Sequence, residues 1–144
     1  MIDHTTSTPN LAVKIHKEAA EKGVFSVDAP FSGGDVGAKS GQLVIMCGGD
    51  EEGVEKVKPL LECYGKSVEH FGAPGNGQHN KMANQIVLAG NMIGMAEGLL
   101  YANKMGLDIK QSIKAISVGG AASTALSVMG KRVADGDFDP GFYV

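Results

Sequence analysis

The chain has 144 residues, of which 43% are hydrophobic and 20% charged, and it carries a net charge of −3. With a mean hydropathy of −0.01, this balance is typical of a globular protein with a sizeable core, and the length alone indicates one domain. The mild acidity and the absence of a basic amphipathic run argue against nucleic acid and a membrane surface, so we expect neither partner.

The cysteines and histidines of the sequence indicate neither a disulfide nor a metal centre. Cys47 and Cys63 occupy an apparent strand and an apparent helix, and both are expected to pack as small apolar residues. The four histidines lack the spacing of metal ligands, so we predict no metal site. Glycine, with 21 residues, has about twice its usual share, which predicts many turns and close backbone approaches.

Strands and helices alternate in the first part of the chain. Thr8 is a predicted N-cap with Pro9 at the first helical position, and Gly23 is the expected C′ residue of that helix. Asp50 is predicted to cap a second helix. Predicted strands cover residues 1–4, 24–28, 42–47 and 67–71.

Residues 29–41 are predicted to form a glycine-rich loop that contains Ser32, Gly33 and Gly34. Successive amides in glycine conformations can form a concave nest for an anion, to which the serine hydroxyl adds a donor. Judged on spacing alone, a plain glycine-rich connection is the favoured alternative.

Strands give way to helices at about residue 73, where we predict a domain boundary. A long helix is predicted over most of residues 77–104, and Asp108 and Ser123 are predicted to cap two shorter helices. The sequence thus predicts an α/β layer of partial Rossmann type followed by an all-α part. The predicted domains are residues 1–73 and 74–144.

Lys81, Asn84 and Gln85 lie near the start of the long helix at positions i, i+3 and i+4, so they share one face. A lysine and two amides beside a glycine-bearing helix start could bind and protonate an oxygen-rich small molecule. The alternative is a solvated polar face, which is the usual environment of a lone helical lysine.

Gly90, Gly94 and Gly98 lie four residues apart in an apolar section of the same helix. Asn91 and Glu97 interrupt this section, so it falls short of the ~20 apolar residues that a membrane span requires. The glycines form a smooth stripe that another helix can approach closely. We therefore expect packing against a helix of the same domain or of a partner subunit, and self-association through the helical part.

The turn at residues 75–80 only partly matches a dinucleotide-binding motif. Asn80 stands at its third glycine position, and no acidic residue ends a second strand about 20 positions later. No complete GxGxxG occurs in this sequence, so the turn is not predicted to be a Rossmann fingerprint.

Three ordered motifs carry a resemblance to a known family. Residues 28–34 read Asp-Ala-Pro-Phe-Ser-Gly-Gly, residues 41–49 read Gly-Gln-Leu-Val-Ile-Met-Cys-Gly-Gly, and residues 75–85 read Gly-Asn-Gly-Gln-His-Asn-Lys-Met-Ala-Asn-Gln. Together they resemble the β-hydroxyacid dehydrogenase family of the 6-phosphogluconate dehydrogenase-like superfamily, and most of all its 3-hydroxyisobutyrate dehydrogenase-like members. Residues 3–9 resemble the family's segment near the nicotinamide, and residues 139–143 resemble the stretch before its later Lys-Asp motif.

The resemblance implies a Rossmann domain joined by one long helix to a helical domain through which homo-oligomers form. It also implies NAD or NADP as cofactor and a small carboxylate as substrate. The implied site residues are Lys81 as the catalytic group, Asn84 and Gln85 as substrate-orienting amides, Ser32, Gly33 and Gly34 at the substrate carboxylate, and Thr6, Ser7 and Thr8 beside the cofactor.

The family's first βαβ unit and its Lys-Asp segment have no counterpart in this sequence. We therefore expect the chain to be the middle of a family member cut at both ends, and to bind NAD(P) poorly by itself. The first hypothesis is an NAD(P)-dependent dehydrogenase of 3-hydroxy acids, in the cytoplasm or the mitochondrial matrix. The alternatives are a non-catalytic domain for assembly or partner binding, and a related enzyme that reduces imines or semialdehydes.

Overall fold

A computed structural model describes residues 1–139 of the chain. The chain divides into two units, Met1–Asn84 and Gln85–Val144. Residues 140–144 are not described, so most of the stretch 139–143 that resembles the segment before a Lys-Asp motif lies outside the described residues.

Strands and helices alternate up to residue 70, and helices alone follow in the described residues, which confirms the predicted fold class. The strands are β1 (Ile2–Asp3), β2 (Val27–Asp28), β3 (Phe31–Ser32), β4 (Leu43–Cys47) and β5 (Gly65–His70). The helices are α1 (Pro9–Ala20), α2 (Gly34–Ser40), α3 (Glu51–Leu61), α4 (Asn76–Lys104), α5 (Ile109–Ile116), a π-helix (Ala125–Gly130) and α6 (Lys131–Ala134).

Two small sheets meet at Asp28 in the first unit. β1 pairs with β2 in parallel, while β4 pairs with β3 antiparallel and with β5 in parallel. An antiparallel bridge between Asp28 and Gly48 connects β2 to the end of β4. The core between these strands and α3 is apolar, and its buried members are Val27, Ala29, Leu43, Ile45, Cys47, Val54 and Leu61.

Three of the four predicted helix caps form through their side chains. The Thr8 hydroxyl accepts from the Leu11 amide at 3.3 Å, the Asp108 carboxylate from Gln111, and the Ser123 hydroxyl from Leu126. Asp50 occupies the N-cap position of α3, but its side chain makes no cap hydrogen bond. Its carboxylate lies 3.5 Å from His16 Nε2 instead, so the capping role predicted for Asp50 is wrong.

The segment 29–41 is not the loop that its glycine content predicts, because it contains β3 and α2. β3 depends on pairing with β4, which is a non-local contact that local composition does not encode. α2 is short and is bounded by two glycines. Gly33 is its N-cap with φ 128°, and Gly41 is its C-cap in the left-handed region with φ 66°.

The two cysteines differ in environment. Cys47 is fully buried in the core of the first unit, as predicted, and burial raises its pKa to about 11. Cys63 is exposed, so the prediction that it packs as a core residue is wrong. Both are free thiols.

The second unit is built on α4, which runs unbroken from Asn76 to Lys104 as predicted. Met95, Leu99 and Leu126 form its buried core. The stripe glycines Gly90, Gly94 and Gly98 line a cleft of about 370 Å³, and a Cβ at any of them would meet nothing within 4 Å. Among the described helices, none is both long and apolar enough to cross a membrane.

Replacing Gly77 by alanine should destabilise the first unit strongly. A Cβ at Gly77 would lie 2.7 Å from the Asp28 carbonyl oxygen and 2.8 Å from its Oδ2, and backbone cannot move aside cheaply. We expect a loss of about 2–3 kcal/mol, the upper part of the range for overpacking. Gly120→Ala is the control, because a Cβ there meets nothing within 4 Å. Equal urea midpoints for the two variants would contradict the packing at Gly77.

Candidate functional site

A carboxylate from β2 holds the first turn of α4. Asp28 is only 5% exposed; its Oδ1 accepts from the Gly75 amide at 2.8 Å and its Oδ2 from the Gln78 amide at 3.0 Å. The first amides of a helix have no partner within the helix, and a negative charge at that end is favourable. Asp28 therefore acts as an N-terminal cap supplied from 47 residues earlier in the chain.

Two glycines allow the helix start to lie directly on the strands. A Cβ at Gly48 would stand 2.7 Å from both Asp28 Oδ1 and the Gly77 nitrogen. A Cβ at Gly77 would also collide with the Met46 carbonyl oxygen. The absence of a side chain at both positions allows α4 to begin in backbone contact with β2 and β4, and this contact leaves no room for a larger residue at either position.

Gln78 links α4 to the turn that follows β1. Its side chain is fully buried; Nε2 donates to the Thr5 carbonyl at 2.6 Å, and Oε1 accepts from the Ser7 amide at 3.1 Å. The segment that the family resemblance places beside the cofactor is thereby attached to the helix that carries Lys81.

Lys81 lies one turn after Gln78 and is 9% exposed. Its Nζ donates to the Phe31 carbonyl at 2.7 Å, and burial lowers the pKa of this amine below its ordinary value. Phe31 directly precedes Ser32, so the structure brings the lysine to the segment 32–34. A carbonyl can accept an N–H from either protonation state, so it orients the amine without requiring its charge.

Two positions of the segment 32–34 have backbone angles that favour glycine. Ser32 is half-buried at the end of β3, and Gly33 and Gly34 follow with φ of 128° and 60°. Asp35 comes next, and its carboxylate lies 3.2 Å from Lys39 Nζ. The hydrogen bond from Lys39 lowers the pKa of Asp35 and directs its charge along α2.

The remaining predicted site residues differ in how closely the structure ties them to Lys81. Asn84 is half-buried one turn further along α4, and Gln85 is exposed and begins the second unit. Thr6 is exposed, and the Thr8 hydroxyl is occupied in capping α1. The Ser7 hydroxyl oxygen is buried and has no hydrogen-bond partner in residues 1–139, which is uncommon for a buried polar atom.

Sequence reasoning missed the roles of Asp28 and Gln78. The local signal was ambiguous, because Asn76 is a possible N-cap in the sequence, whereas the structure makes it the first residue of α4 and its side chain donates to the Phe71 carbonyl at 2.8 Å. A helix start without its own cap predicts a partner from elsewhere, but the sequence does not identify that partner.

Within residues 1–139, no three His, Cys, Asp or Glu side chains are grouped so that they could hold a metal ion.

Two family models match successive parts of the chain. Residues 1–72 match the NAD binding domain of 6-phosphogluconate dehydrogenase. Residues 75–144 match the model described as NAD-binding of NADP-dependent 3-hydroxyisobutyrate dehydrogenase.

Individual proteins show the same similarity. Probable 3-hydroxyisobutyrate dehydrogenase-like 1, mitochondrial, from Arabidopsis thaliana is 51% identical over all of this chain and 43% of its own length. The structure of Mycobacterium tuberculosis 3-hydroxyisobutyrate dehydrogenase with L-serine is 34% identical, with a TM-score of 0.85 over 98% of this chain and 51% of that one. Psf3 in complex with NADP+ and 2-OPP is 27% identical, with a TM-score of 0.87 over 94% and 48%. The chain spans about half the length of these relatives.

Asp28→Asn should destabilise the first unit by about 1–3 kcal/mol, because an asparagine has one acceptor oxygen and would turn an NH₂ group towards a buried amide donor. Asp50→Asn is the matched control at another helix start, where the carboxylate is half exposed and makes no cap bond. It should change stability by less than about 0.5 kcal/mol. Thermal unfolding at pH 7 measures both, and an Asp28→Asn protein as stable as the Asp50→Asn protein would rule out the buried cap.

Proposed function

The chain belongs to the β-hydroxyacid dehydrogenase family, and from this membership we propose that the whole protein transfers a hydride between NAD(P) and a small 3-hydroxy acid or its semialdehyde. The substrate we propose is similar to 3-hydroxyisobutyrate. The observation that carries the proposal is Lys81, a desolvated amine whose Nζ lies at the Phe31 carbonyl beside the segment 32–34. We also propose a domain boundary near residue 73, which the limits of the two matched models support. The division into compact units falls later, between Asn84 and Gln85 within α4.

Lys81 is the proton-transfer group in this proposal. The nicotinamide, when bound, supplies the hydride chemistry, and the protein has to orient the carbinol carbon and move one proton. A buried lysine with a lowered pKa has more neutral amine at working pH, so Nζ can accept the hydroxyl proton during oxidation. The protonated amine returns that proton to the carbonyl oxygen during reduction.

Substrate binding is assigned to the residues that the family motifs indicate. The Ser32 hydroxyl can donate to a carboxylate, and Gly33 and Gly34 present backbone amides without side chains in the way. Asn84 and Gln85 supply amides that orient the substrate hydroxyl and carboxylate and do not titrate; their assignment rests on the family motif. Asp35 is directed to Lys39, which keeps one negative charge paired near this segment.

The cofactor, NAD or NADP, is assigned to the turn that contains Thr6, Ser7 and Thr8. The buried Ser7 hydroxyl without a partner in the described residues fits a polar group of the cofactor. The Thr8 side chain caps α1, so its contribution is to hold the turn rather than to contact the ligand.

Lys81→Ala should lower kcat by ~10²-fold or more, the usual size of a general acid–base contribution, with a smaller change in substrate KM. Lys81→Arg should not restore activity, because a guanidinium stays protonated at working pH. In the wild type, oxidation should accelerate as pH rises through the lowered pKa of Lys81, and this limb should be absent from both variants. Steady-state kinetics of the whole protein, with folding checked by circular dichroism, measure these effects.

An active arginine variant would contradict proton transfer by Lys81. In that case the lysine would only attract the substrate carboxylate, and the alanine variant would lose affinity rather than turnover. Lys14→Ala is the control, since that lysine is exposed and pairs with Glu18 on α1, away from the segment 32–34. Its rate should stay within about twofold of wild type, as for an exposed ion pair of little energetic consequence.

We also propose that a second copy of the protein packs on the helical part. The described surface of the second unit exposes several large apolar side chains, namely Ile86, Val87, Ile93, Leu100, Tyr101 and Val118. Exposed apolar surface of this kind is typical of association sites. The smooth stripe of Gly90, Gly94 and Gly98 offers a place for close helix approach.

Gly94→Gln tests the association. A Cβ at Gly94 would meet nothing within 4 Å in this chain, and the cleft beside it has room for the rest of the side chain, so the fold should tolerate the change, whereas a closely packed partner helix should be displaced. We expect sedimentation to show at least a tenfold weaker association. Gly120→Gln is the control, because Gly120 is equally open but lies off α4. A monomeric wild type, or unchanged association of Gly94→Gln, would contradict the proposal.

A further inference from the structure

We propose that Gln78 is a positioning residue that sets the cofactor-side turn, residues 5–7, against the helix that carries Lys81. This inference rests on the proposed function, because that function places the cofactor at the turn. Gln78 itself contacts neither reacting group in the proposal, so its effect on catalysis is indirect.

Every polar group of Gln78 that faces the first unit is occupied. The side-chain Nε2 donates to the Thr5 carbonyl at 2.6 Å, Oε1 accepts from the Ser7 amide at 3.1 Å, and the main-chain amide donates to Asp28. The side chain is fully buried, so water does not replace these partners. An amide side chain suits this place because it provides a donor and an acceptor at once.

The other described contacts hold the residues on either side of the turn. His4 hydrogen-bonds the Ala29 carbonyl oxygen at 2.6 Å and the Tyr64 hydroxyl at 2.9 Å, and a Cβ at Gly75 would meet the Pro9 carbonyl oxygen at 3.0 Å. β1 has only two residues, and the Thr5 amide bonds locally to the Asp3 carboxylate at 2.9 Å. Beyond the turn, the Thr8 hydroxyl faces α1 rather than α4. The Gln78 amide is therefore the described hydrogen-bonding link between residues 5–7 and the helix of Lys81.

The side-chain hydrogen bonds of Gln78 to the turn are independent of the contacts that hold the start of α4. Asp28 holds the start of α4 through the main-chain amides of Gly75 and Gln78, and neither bond needs the glutamine side chain. Lys81 reaches the Phe31 carbonyl through its own Nζ. Loss of the Gln78 side-chain amide should therefore release the turn while Lys81 stays at the segment 32–34.

Because Gln78 and Lys81 are three residues apart on one helix, they lie on the same face. A turn held to Gln78 is thus held in register with the amine one turn later. The expected consequence of releasing it is weaker cofactor binding with the proton-transfer step largely retained. This separates Gln78 from Lys81, whose removal should lower kcat and abolish the pH limb.

The test uses the whole protein with Gln78→Leu, Gln78→Glu and the control His79→Gln, which changes the exposed neighbouring residue. Leucine removes both hydrogen bonds, whereas glutamate keeps the shape and an acceptor for Ser7 but turns a charge towards the Thr5 carbonyl. We expect the KM for NAD(P) to rise at least tenfold in both Gln78 variants. Their kcat should fall less than threefold, the pH limb of Lys81 should persist, and the control should match wild type.

Hydrogen exchange gives a second readout that does not require activity. The Ser7 amide should be protected in the wild type, unlike that of exposed Thr6, and should exchange at least tenfold faster in Gln78→Leu. Gln78→Met, which removes both hydrogen bonds at a similar side-chain volume, serves if the leucine variant does not fold. A wild type in which Ser7 exchanges as fast as Thr6 would overturn the link.

The separate effects on the KM for NAD(P) and on kcat can also overturn the inference. Gln78 variants with unchanged NAD(P) KM, or with kcat lowered as much as in Lys81→Ala, would show that the side chain does not position the cofactor turn. A wild type inactive with 3-hydroxy acids and NAD(P) would instead overturn the proposed function, and the exchange of Ser7 would still decide whether the link exists.

Discussion

The carboxylate of Asp28 at the start of α4 is the interaction on which the candidate site depends. It satisfies two buried amides that no local residue caps, and Asp28 also bridges β2 to the end of β4 through its main chain. Gly48 and Gly77 leave room for this contact. The helix start is therefore fixed to both sheets before any ligand is present. Lys81 comes one and a half turns after that fixed point, which places Nζ at the Phe31 carbonyl.

The same residue type serves α4 for two different physical reasons. Gly77 is required because backbone and a carboxylate lie where its Cβ would stand, so any larger residue forces the helix off the strands. Gly90, Gly94 and Gly98 face open space in the described structure, although glycine weakens a helix interior by roughly 1 kcal/mol relative to alanine. Such a weakening needs a compensating gain. Close approach of another helix is the gain that a smooth stripe offers.

Local signals in the sequence predicted most of the structure that neighbours in the chain hold, with the side-chain cap of Asp50 as an exception. Thr8 and Asp108 cap their helices, and α4 has the predicted length, because capping and helical periodicity act within a few residues. The segment 29–41 could not be predicted, since β3 exists only by pairing with β4. The cap at α4 is also non-local. Asp28 is the first residue of a recognised motif, but the neighbouring sequence does not indicate that the amides of Gly75 and Gln78 are its partners.

In the candidate site as well, local sequence predicted some residues, whereas roles that depend on distant segments were missed. The family motif implied Lys81 and the segment 32–34 as site residues, and the hydrogen bond from Lys81 to the Phe31 carbonyl places the amine next to that segment. Gln78 lay inside the quoted motif and received no role, because its function is to join two segments 71 positions apart. Helical spacing indicates which residues share a face, but it does not show what that face meets.

Burial of Lys81 connects the chemistry of the site to the stability of the fold. Because desolvation lowers the pKa of the amine in the folded state, the unfolded chain binds the proton more readily between the lowered and the ordinary pKa. The free energy of unfolding therefore rises with pH across that interval. Below it, the buried amine is charged and the full desolvation penalty lowers stability. The Phe31 carbonyl offsets part of this penalty with one hydrogen bond, but it supplies no counter-charge. A carboxylate paired with Lys81 would have stabilised the fold and raised the pKa of the amine. The carbonyl partner stabilises the fold less, but it leaves the amine able to accept a proton.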